Sequence, residues 1–229
     1  MAIIAGKFGT VELVSHVSVA YMSSISYLFF MGTSFTCTSL IGNAVGEKKP
    51  IKAKNYATAT LYSTSVLWIF VMLFFRIFRY QWVEFWTDDQ QTIEYMLSLI
   101  FIYQLSVQPN DAITNAYYAI LKAVGKQSLA GWGVVFCYYG FSLPLTLLFV
   151  FSFGMGVLGL WIAFGISNCL LTFFFTSYIC RIDWDQVVKH IDREMKRAFT
   201  TQEVCRQKVR AIELNEVLIK SNHERASSQ

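Results

Sequence analysis

The sequence predicts an all-α membrane protein: a polytopic bundle of about five spanning helices, followed by an amphipathic helical tail. Three observations support this fold class. Charged residues make up 15% of the 229 residues, whereas soluble domains carry about 25%. Hydrophobic residues make up 55% of the chain, and its mean hydropathy is +0.43. Long apolar segments recur before residue 182, each close to the roughly 20 residues that a spanning helix requires.

Five apolar segments are predicted to span the membrane: Leu13–Ile41, Tyr56–Phe78, Ile93–Leu121, Leu129–Phe151 and Met155–Cys180. Charge concentrates after them, because residues 183–229 hold eight of the fifteen acids and nine of the nineteen bases. We therefore divide the chain into a transmembrane bundle, residues 1–182, and a helical tail, residues 183–229. Apolar residues recur at helical spacing on one face of the tail. We interpret the tail as a solvated or membrane-skimming helix rather than a partner-binding element.

The loop charges predict an orientation. Basic residues cluster in the first and third connections and just after the last helix: Lys48, Lys49, Lys52, Lys54, Lys122, Lys126 and Arg181. The second connection is acidic, with Glu84, Asp88 and Asp89. The positive-inside rule therefore places the basic loops and the tail in the cytosol, and the N-terminus on the other side. The expected location is multi-pass in a plasma or vesicle membrane.

The residues argue against several function classes. No nucleophile elbow, zinc motif, phosphate-binding loop or dinucleotide fingerprint occurs. We therefore predict no enzyme, no catalytic residue, no cofactor and no metal site. The five cysteines lack paired spacing, so no disulfide framework is indicated. The net charge of +4 is spread over loops and tail, which gives little reason to expect a nucleic-acid partner.

Asp111 is the strongest candidate for a functional residue. On a helix it would lie roughly 16 Å from Lys122 and roughly 25 Å from Glu94, and therefore near the middle of the membrane. An ionisable group there is costly and is by default a functional hypothesis. Polar residues share its helical face at steps of three or four. These candidate cavity-lining residues are Gln104, Gln108, Asn115 and Tyr118, and Tyr138 and Tyr139 of the next helix are further candidates.

The chemistry of a buried carboxyl suits ion exchange. A low dielectric favours its protonated form, whereas a nearby cation favours the carboxylate, so one group can hold either a proton or a cation. Pro109 interrupts the backbone ladder beside it and can kink the helix. Our hypothesis is that Asp111 is the coupling and cation-binding site. The alternative is a structural acid that is hydrogen-bonded between helices by the same polar neighbours.

Four stretches of the sequence, taken in order, are similar to one transporter family. They are ELVSH (Glu12–His16), GNAVGEKKPIKAK (Gly42–Lys54), ILKAVGKQSLAG (Ile120–Gly131) and YYGFSLPLTLLFVFSFGMGVLGLW (Tyr138–Trp161). Together they resemble helices eight to twelve of the multidrug and toxic compound extrusion (MATE) transporters, of eukaryotic type. The resemblance covers about residues 10–182. The sequence departs from the family at Lys122, where arginine is usual, and at Ala123 and Val124, which replace small residues.

The resemblance implies a function that composition alone does not. MATE proteins are twelve-helix bundles that export organic cations and other xenobiotics in exchange for H⁺ or Na⁺, and Asp111 falls where the family carries an acid in its tenth helix. The expected partners are therefore a small organic cation and the lipid bilayer. Because the family's first lobe and nearly all of its seventh helix have no counterpart in the sequence, an N-lobe in cis or in trans is expected to be required. The alternative is a truncated, non-transporting membrane subunit or remnant that kept the helix packing.

Overall fold

The computed structural model describes residues 2–200, 202–203 and 206–207. Within these residues the secondary structure is helical, and no strand is present. The predicted all-α fold class is therefore confirmed. The part of the predicted tail beyond these residues lies outside the description.

Two long helices open the bundle. A short helix, α1 (Ala2–Ala5), precedes α2 (Thr10–Gly46), and α3 (Pro50–Ile77) follows after a tight turn. Pro50 occupies the first turn of α3, where its missing amide hydrogen costs no intrahelical bond. A further short helix, α4 (Arg79–Glu84), leads into the second connection.

The third long helix is continuous but changes its hydrogen-bonding pattern midway. Helix α5 (Gln90–Ile102) runs into a π-helical turn (Tyr103–Val107), which runs into α6 (Gln108–Ala123). We call this whole segment the polar helix, because it carries Asp111 and the polar residues on its face. Its start is fixed by Asp89, whose carboxylate accepts hydrogen bonds from the Thr92 amide at 2.9 Å and hydroxyl at 2.7 Å.

Pro109 accounts for the π-helical turn. Proline has no amide hydrogen, so residue 109 cannot donate to the carbonyl four residues earlier. The spacing of the backbone hydrogen bonds therefore increases by one residue, and the amide of Gln108 donates to the carbonyl of Tyr103, five residues back. The sequence predicted a disturbance beside Pro109, and the structure resolves it as a π-helical turn rather than a break.

The last two long helices complete the bundle. The fourth, Gln127–Ser152, contains α7 (Gln127–Val135) and α8 (Leu143–Leu147), and π-helical turns follow each of them. Pro144 repeats the effect of Pro109, since the Leu143 amide donates to Tyr138 five residues back. Helix α9 (Gly156–Ile179) follows a short turn.

Four helices in the described part of the chain are long and apolar enough to cross a membrane: α2, α3, Gln127–Ser152 and α9. They correspond to four of the five predicted spans. The remaining predicted span, Ile93–Leu121, corresponds to the polar helix, which forms a helical segment of comparable length. It is not among the four apolar helices, and the polar residues Gln104, Gln108 and Asp111 lower its hydropathy. A helix of this kind needs protein neighbours on its polar face.

The packing supplies those neighbours. Helix α2 lies against α3, α5 and α6, and α9 lies against α6 and against the π-helical turns of the third and fourth helices. One apolar cluster, with Met22, Leu99 and Trp161, fills the end of the bundle near the second connection. A second cluster, with Ile41 and Ile120, joins the ends of α2, α6 and α9 to the start of the tail. The first and third connections therefore lie at the same end as the tail, which we call the basic end.

The outer surface of the bundle is apolar. Large aromatic side chains on α2, α3, the fourth helix and α9 are exposed, among them Phe29, Phe70, Phe74, Phe136 and Phe173. Exposed apolar surface on this scale is unfavourable in water and suits lipid. The chain is accordingly an integral, multi-pass membrane protein.

The tail packs against the bundle instead of standing free. Residues 184–200 are helical, and Val188 is 7% exposed in the cluster that contains Ala53 and Ala57 of α3. The ammonium group of Lys48 lies 2.8 Å from the Asp192 carboxylate, which also contacts Lys196 at 3.0 Å. The described tail helix is therefore docked on the basic end, whereas the sequence analysis favoured a solvated or membrane-skimming helix.

Candidate functional site

Asp111 lies in the first turn of α6, immediately after the π-helical turn. Its side chain is partly buried, and its Oδ1 accepts a hydrogen bond from Asn168 Nδ2 of α9 at 2.9 Å. Asn168 is fully buried. The carboxyl is therefore tied to the facing helix by an amide rather than by a cation.

Tyr138 completes a chain of three side chains. Its hydroxyl donates to Asn168 Oδ1 at 2.6 Å, and its ring stacks on Phe164 with the centroids 5.4 Å apart. A phenol can donate and an ionised carboxylate can only accept, so the two contacts fix which way the Asn168 amide points. Three helical segments thus contribute one side chain each, and we call the set the Asp–Asn–Tyr chain.

Asp111 and Tyr138 open onto a cleft of about 400 Å³. The other lining residues are Ser23, Ser24, Tyr27 and Leu28 of α2 and Phe164 of α9. Hydroxyl groups and aromatic rings surround one carboxyl, which is the one charged side chain among these lining residues. Aromatic faces attract cations, and a desolvated carboxylate attracts them more strongly. The cleft therefore has the chemistry to hold a small cation or a proton.

The rest of the polar stripe joins helices together. Gln104 Nε2 donates to the Met72 carbonyl at 3.4 Å, and Gln108 Nε2 donates to Ser26 Oγ at 3.3 Å. Asn115 Nδ2 donates to the backbone carbonyl of Asp111 at 3.0 Å, and its own carbonyl accepts from Ser34 Oγ. The ring of Tyr118 packs edge-on against Phe175. These four candidates do not line the cleft beside Asp111.

The two adjacent tyrosines differ in position. Tyr138 lines the cleft, as described above, whereas Tyr139 is 72% exposed on the outer side of the fourth helix. The structure therefore brings one of the two together with Asp111.

Several residues of the cleft were missed by the sequence analysis. Asn168 is the clearest, since it is the one amide side chain in α9, a helix without charged residues, and that was a usable signal. Ser23, Ser24 and Tyr27 gave none, because α2 contains many hydroxylated residues and the sequence does not show which of them face α6. Among the described residues, no group of three or more His, Cys, Asp or Glu side chains is arranged to hold a metal ion.

Comparison with known proteins agrees with this architecture. The chain is 24% identical to human multidrug and toxin extrusion protein 2 over 84% of its own length and 32% of that protein. It is 22% identical to an uncharacterized transporter of Schizosaccharomyces pombe, over 85% of this chain and 36% of the relative. It is 24% identical to protein DETOXIFICATION 30 of Arabidopsis thaliana, over 68% and 31% respectively. The chain thus spans about a third of the length of these relatives.

Solved structures show the same fold. The crystal structure of the eukaryotic MATE transporter AtDTX14 matches 79% of this chain and 40% of its own, with a TM-score of 0.71 and 20% identity. A crystal structure of a MATE protein in the bent conformation matches with a TM-score of 0.69. The sequence model of the MatE family matches residues 1–148, well over half of the chain. The chain therefore belongs to the MatE family.

Proposed function

We propose that this chain is part of a secondary active antiporter that exports organic cations in exchange for H⁺ or Na⁺, and that Asp111 holds the exchanged ions. The observation that carries the proposal is the cleft itself, in which a partly buried carboxyl is the one charged lining residue among aromatic and hydroxyl groups. Some of the relatives support it by name, since the human and rabbit proteins are called multidrug and toxin extrusion protein 2.

The exchange follows from the capacity of one carboxyl. A carboxyl group can bind a proton or another cation. The proton must leave before the carboxylate has the full negative charge that attracts the other cation. If the cleft opens alternately to the two sides of the membrane, the ion entering from one side displaces the ion bound from the other. Asn168 and Tyr138 act as positioning residues in this scheme, because they orient the carboxyl without supplying charge.

The proposal includes a second lobe. Transporters of this kind bind substrate between two lobes that rock against each other, and the chain spans about a third of its relatives. We propose that an N-lobe, in cis or in trans, supplies the other wall of the cavity. We further propose that the basic end and the tail face the cytosol, in a plasma or vesicle membrane.

Gradient-driven uptake tests this function. The chain would be reconstituted in proteoliposomes with the N-terminal half of its human relative, and uptake of radiolabelled tetraethylammonium measured under an outward H⁺ or Na⁺ gradient. We expect Asp111→Asn to reduce uptake at least tenfold, and Asp88→Asn, on an exposed loop, to leave it unchanged. No gradient-dependent uptake by the unsubstituted pair would contradict the proposal and indicate a subunit that kept only the packing.

A further inference from the structure

A second cleft, distinct from the one at Asp111, lies at the basic end. It has a volume of about 800 Å³ and lies between the third connection, the end of α9 and the tail helix. Its permanently charged bases come from all three elements: Lys126, Arg181, Lys189 and Arg193. Asp183 is the one acid among its lining residues.

These bases have no anionic partner in the described part of the chain. Other bases of this end do contact acids: Lys48 and Lys196 contact Asp192, and Lys49 and Lys52 contact Glu47. Between described residues, no such contact forms at Lys126, Arg181, Lys189 or Arg193. The cleft therefore gathers four bases that make no contact with a described acid.

The acid in the cleft is already engaged. Asp183 Oδ1 accepts from the backbone amides of Asp185 and Gln186 at 3.0 and 3.2 Å, and its Oδ2 accepts from Gln186 Nε2 at 2.8 Å. It caps the tail helix and has little capacity left for the neighbouring bases. Lys189 and Arg193 are four residues apart on one helix, where like charges repel each other. An anion in the cleft would remove that repulsion.

Backbone hydrogen bonds fix the helix ends that carry two of these bases, Lys126 and Arg181. Gly125 has a φ of 73°, and the Lys126 amide donates to the carbonyl of Leu121 at 2.8 Å, so the end of α6 is closed by a Schellman motif. Arg181 follows α9 by two residues, and its amide donates to Tyr178 at 3.1 Å. Lys126 and Arg181 thus lie at ordered helix ends.

The remaining lining residues identify the kind of anion. Val124, Tyr178, Ile182 and Val187 give the cleft an apolar floor beside its basic rim. Phosphate groups pair well with arginine forks and lysine ammonium groups. Basic pockets at the cytosolic ends of membrane helices suit phospholipid headgroups. We propose that this cleft binds a polyvalent phosphate anion of the kind carried by inositol phospholipids.

Binding of short-chain lipid to the purified full chain tests the proposal. The probe is fluorescent dioctanoyl phosphatidylinositol bisphosphate at near-physiological salt, with dioctanoyl phosphatidylcholine as the neutral comparison. The test variant is the triple replacement Arg181→Gln, Lys189→Gln and Arg193→Gln. Its matched control removes three bases from the first connection and α3, with Lys49→Gln, Lys52→Gln and Lys54→Gln. Lys126→Gln serves as a second variant that leaves the tail untouched.

We expect the test triple to weaken binding at least tenfold, Lys126→Gln to weaken it severalfold, and the control triple to change it less than twofold. Equal losses in the two triples would overturn the proposal, since they would mean general attraction to a basic surface. Binding of phosphatidylcholine as tight as that of the anionic lipid would overturn it as well. Inositol trisphosphate without acyl chains identifies the source: equal affinity supports a soluble phosphate in this site, and much weaker affinity supports a membrane lipid.

Discussion

At the scale of single residues, the position of Asp111 depends on a side chain that the sequence analysis did not select. Asp111 itself could be predicted, because a carboxyl in the middle of a long apolar segment stands out from its surroundings. Asn168 could not be paired with it, since the contact depends on how α9 is rotated against α6. The same rotation decides that Tyr138 lines the cleft while Tyr139 does not.

The Asp–Asn–Tyr chain makes a prediction at this scale. Asn168→Ala removes the donor to Asp111 and leaves two polar groups without their partner, so we expect affinity for an organic cation to fall about tenfold. Tyr138→Phe should cost less, because the amide remains. Tyr139→Phe is the matched control, and it should change nothing. Equilibrium binding of labelled tetraethylammonium to the reconstituted pair measures all three.

Thermal unfolding of the same variants separates binding from folding. If Asn168→Ala lowers affinity only in proportion to a loss of folded protein, the residue holds helices together and does not position Asp111. An effect of Tyr139→Phe equal to that of Tyr138→Phe would also count against the Asp–Asn–Tyr chain.

At the scale of helices, glycine decides how closely α9 approaches the polar helix. A Cβ atom on Gly165 would lie 2.6 Å from Ser106 Oγ and 2.8 Å from Ser106 Cβ, closer than such atoms can approach. Ser106 lies in the π-helical turn before Gln108. The contact therefore places α9 against the segment that leads into Asp111, and Asn168 is one helical turn further along.

Replacement of Gly165 tests this packing. Gly165→Ala should force the helices apart by a few tenths of an ångström or more, and overpacking of this kind costs about 1–3 kcal/mol. We expect a lower unfolding temperature together with weaker cation binding. Gly131→Ala is the control, because a Cβ there meets no atom within 4 Å. Adding Ser106→Gly to the Gly165→Ala variant should restore cation binding in part. If Gly165→Ala alone lost neither stability nor cation binding, the close approach of α9 to the polar helix would not be needed.

The helices themselves were largely predictable, and their internal irregularities were not. Apolar length alone located α2, α3, the fourth helix and α9 to within several residues. The π-helical turns before Pro109 and Pro144 were beyond this reasoning, since a proline can equally kink a helix, end it or shift its ladder. Which of these occurs depends on whether neighbouring helices donate hydrogen bonds to the carbonyls that the proline leaves unpaired.

At the scale of the whole molecule, charge organises the basic end. The first connection and the tail are joined by the contact between Lys48 and Asp192, whereas the sequence analysis favoured a solvated or membrane-skimming tail. Amphipathic spacing cannot distinguish a helix that rests on lipid from one that rests on protein, because either surface covers the apolar face. The docked position became visible only with Val188 packed in the cluster near Ala53.

The docking of the tail should depend on pH in one direction. Hydrogen bonds from Lys48 and then Lys196 hold the pKa of Asp192 below its ordinary value. A carboxyl with a lowered folded-state pKa stabilises docking above its unfolded pKa of about 3.9, and that contribution is lost as pH falls through the lowered value. We therefore expect the hydrogen-exchange protection of residues 184–200, taken as the intrinsic rate at each pH divided by the observed rate, to be constant near neutral pH and to fall only in strong acid.

Substitution separates this carboxyl from its neighbours. Asp192→Asn should accelerate hydrogen exchange in the tail already at neutral pH, whereas Glu194→Gln, whose contact with Arg197 lies within the tail, should not. Protection that already falls as the pH is lowered from 7 to 5 would contradict the role of Asp192, because its carboxylate stays ionised throughout that range.

Competition of H⁺ and Na⁺ with an organic cation tests most directly whether Asp111 holds the exchanged ions. Binding of labelled tetraethylammonium to the reconstituted pair would be measured over a series of pH values and sodium concentrations. If one carboxyl holds both ions in turn, the affinity for the organic cation falls as H⁺ or Na⁺ rises, and Asp111→Asn gives weak binding that neither ion changes. If the Asp111→Asn variant kept the affinity and the ion dependence of the unsubstituted protein, Asp111 would not be the site that holds the exchanged ions.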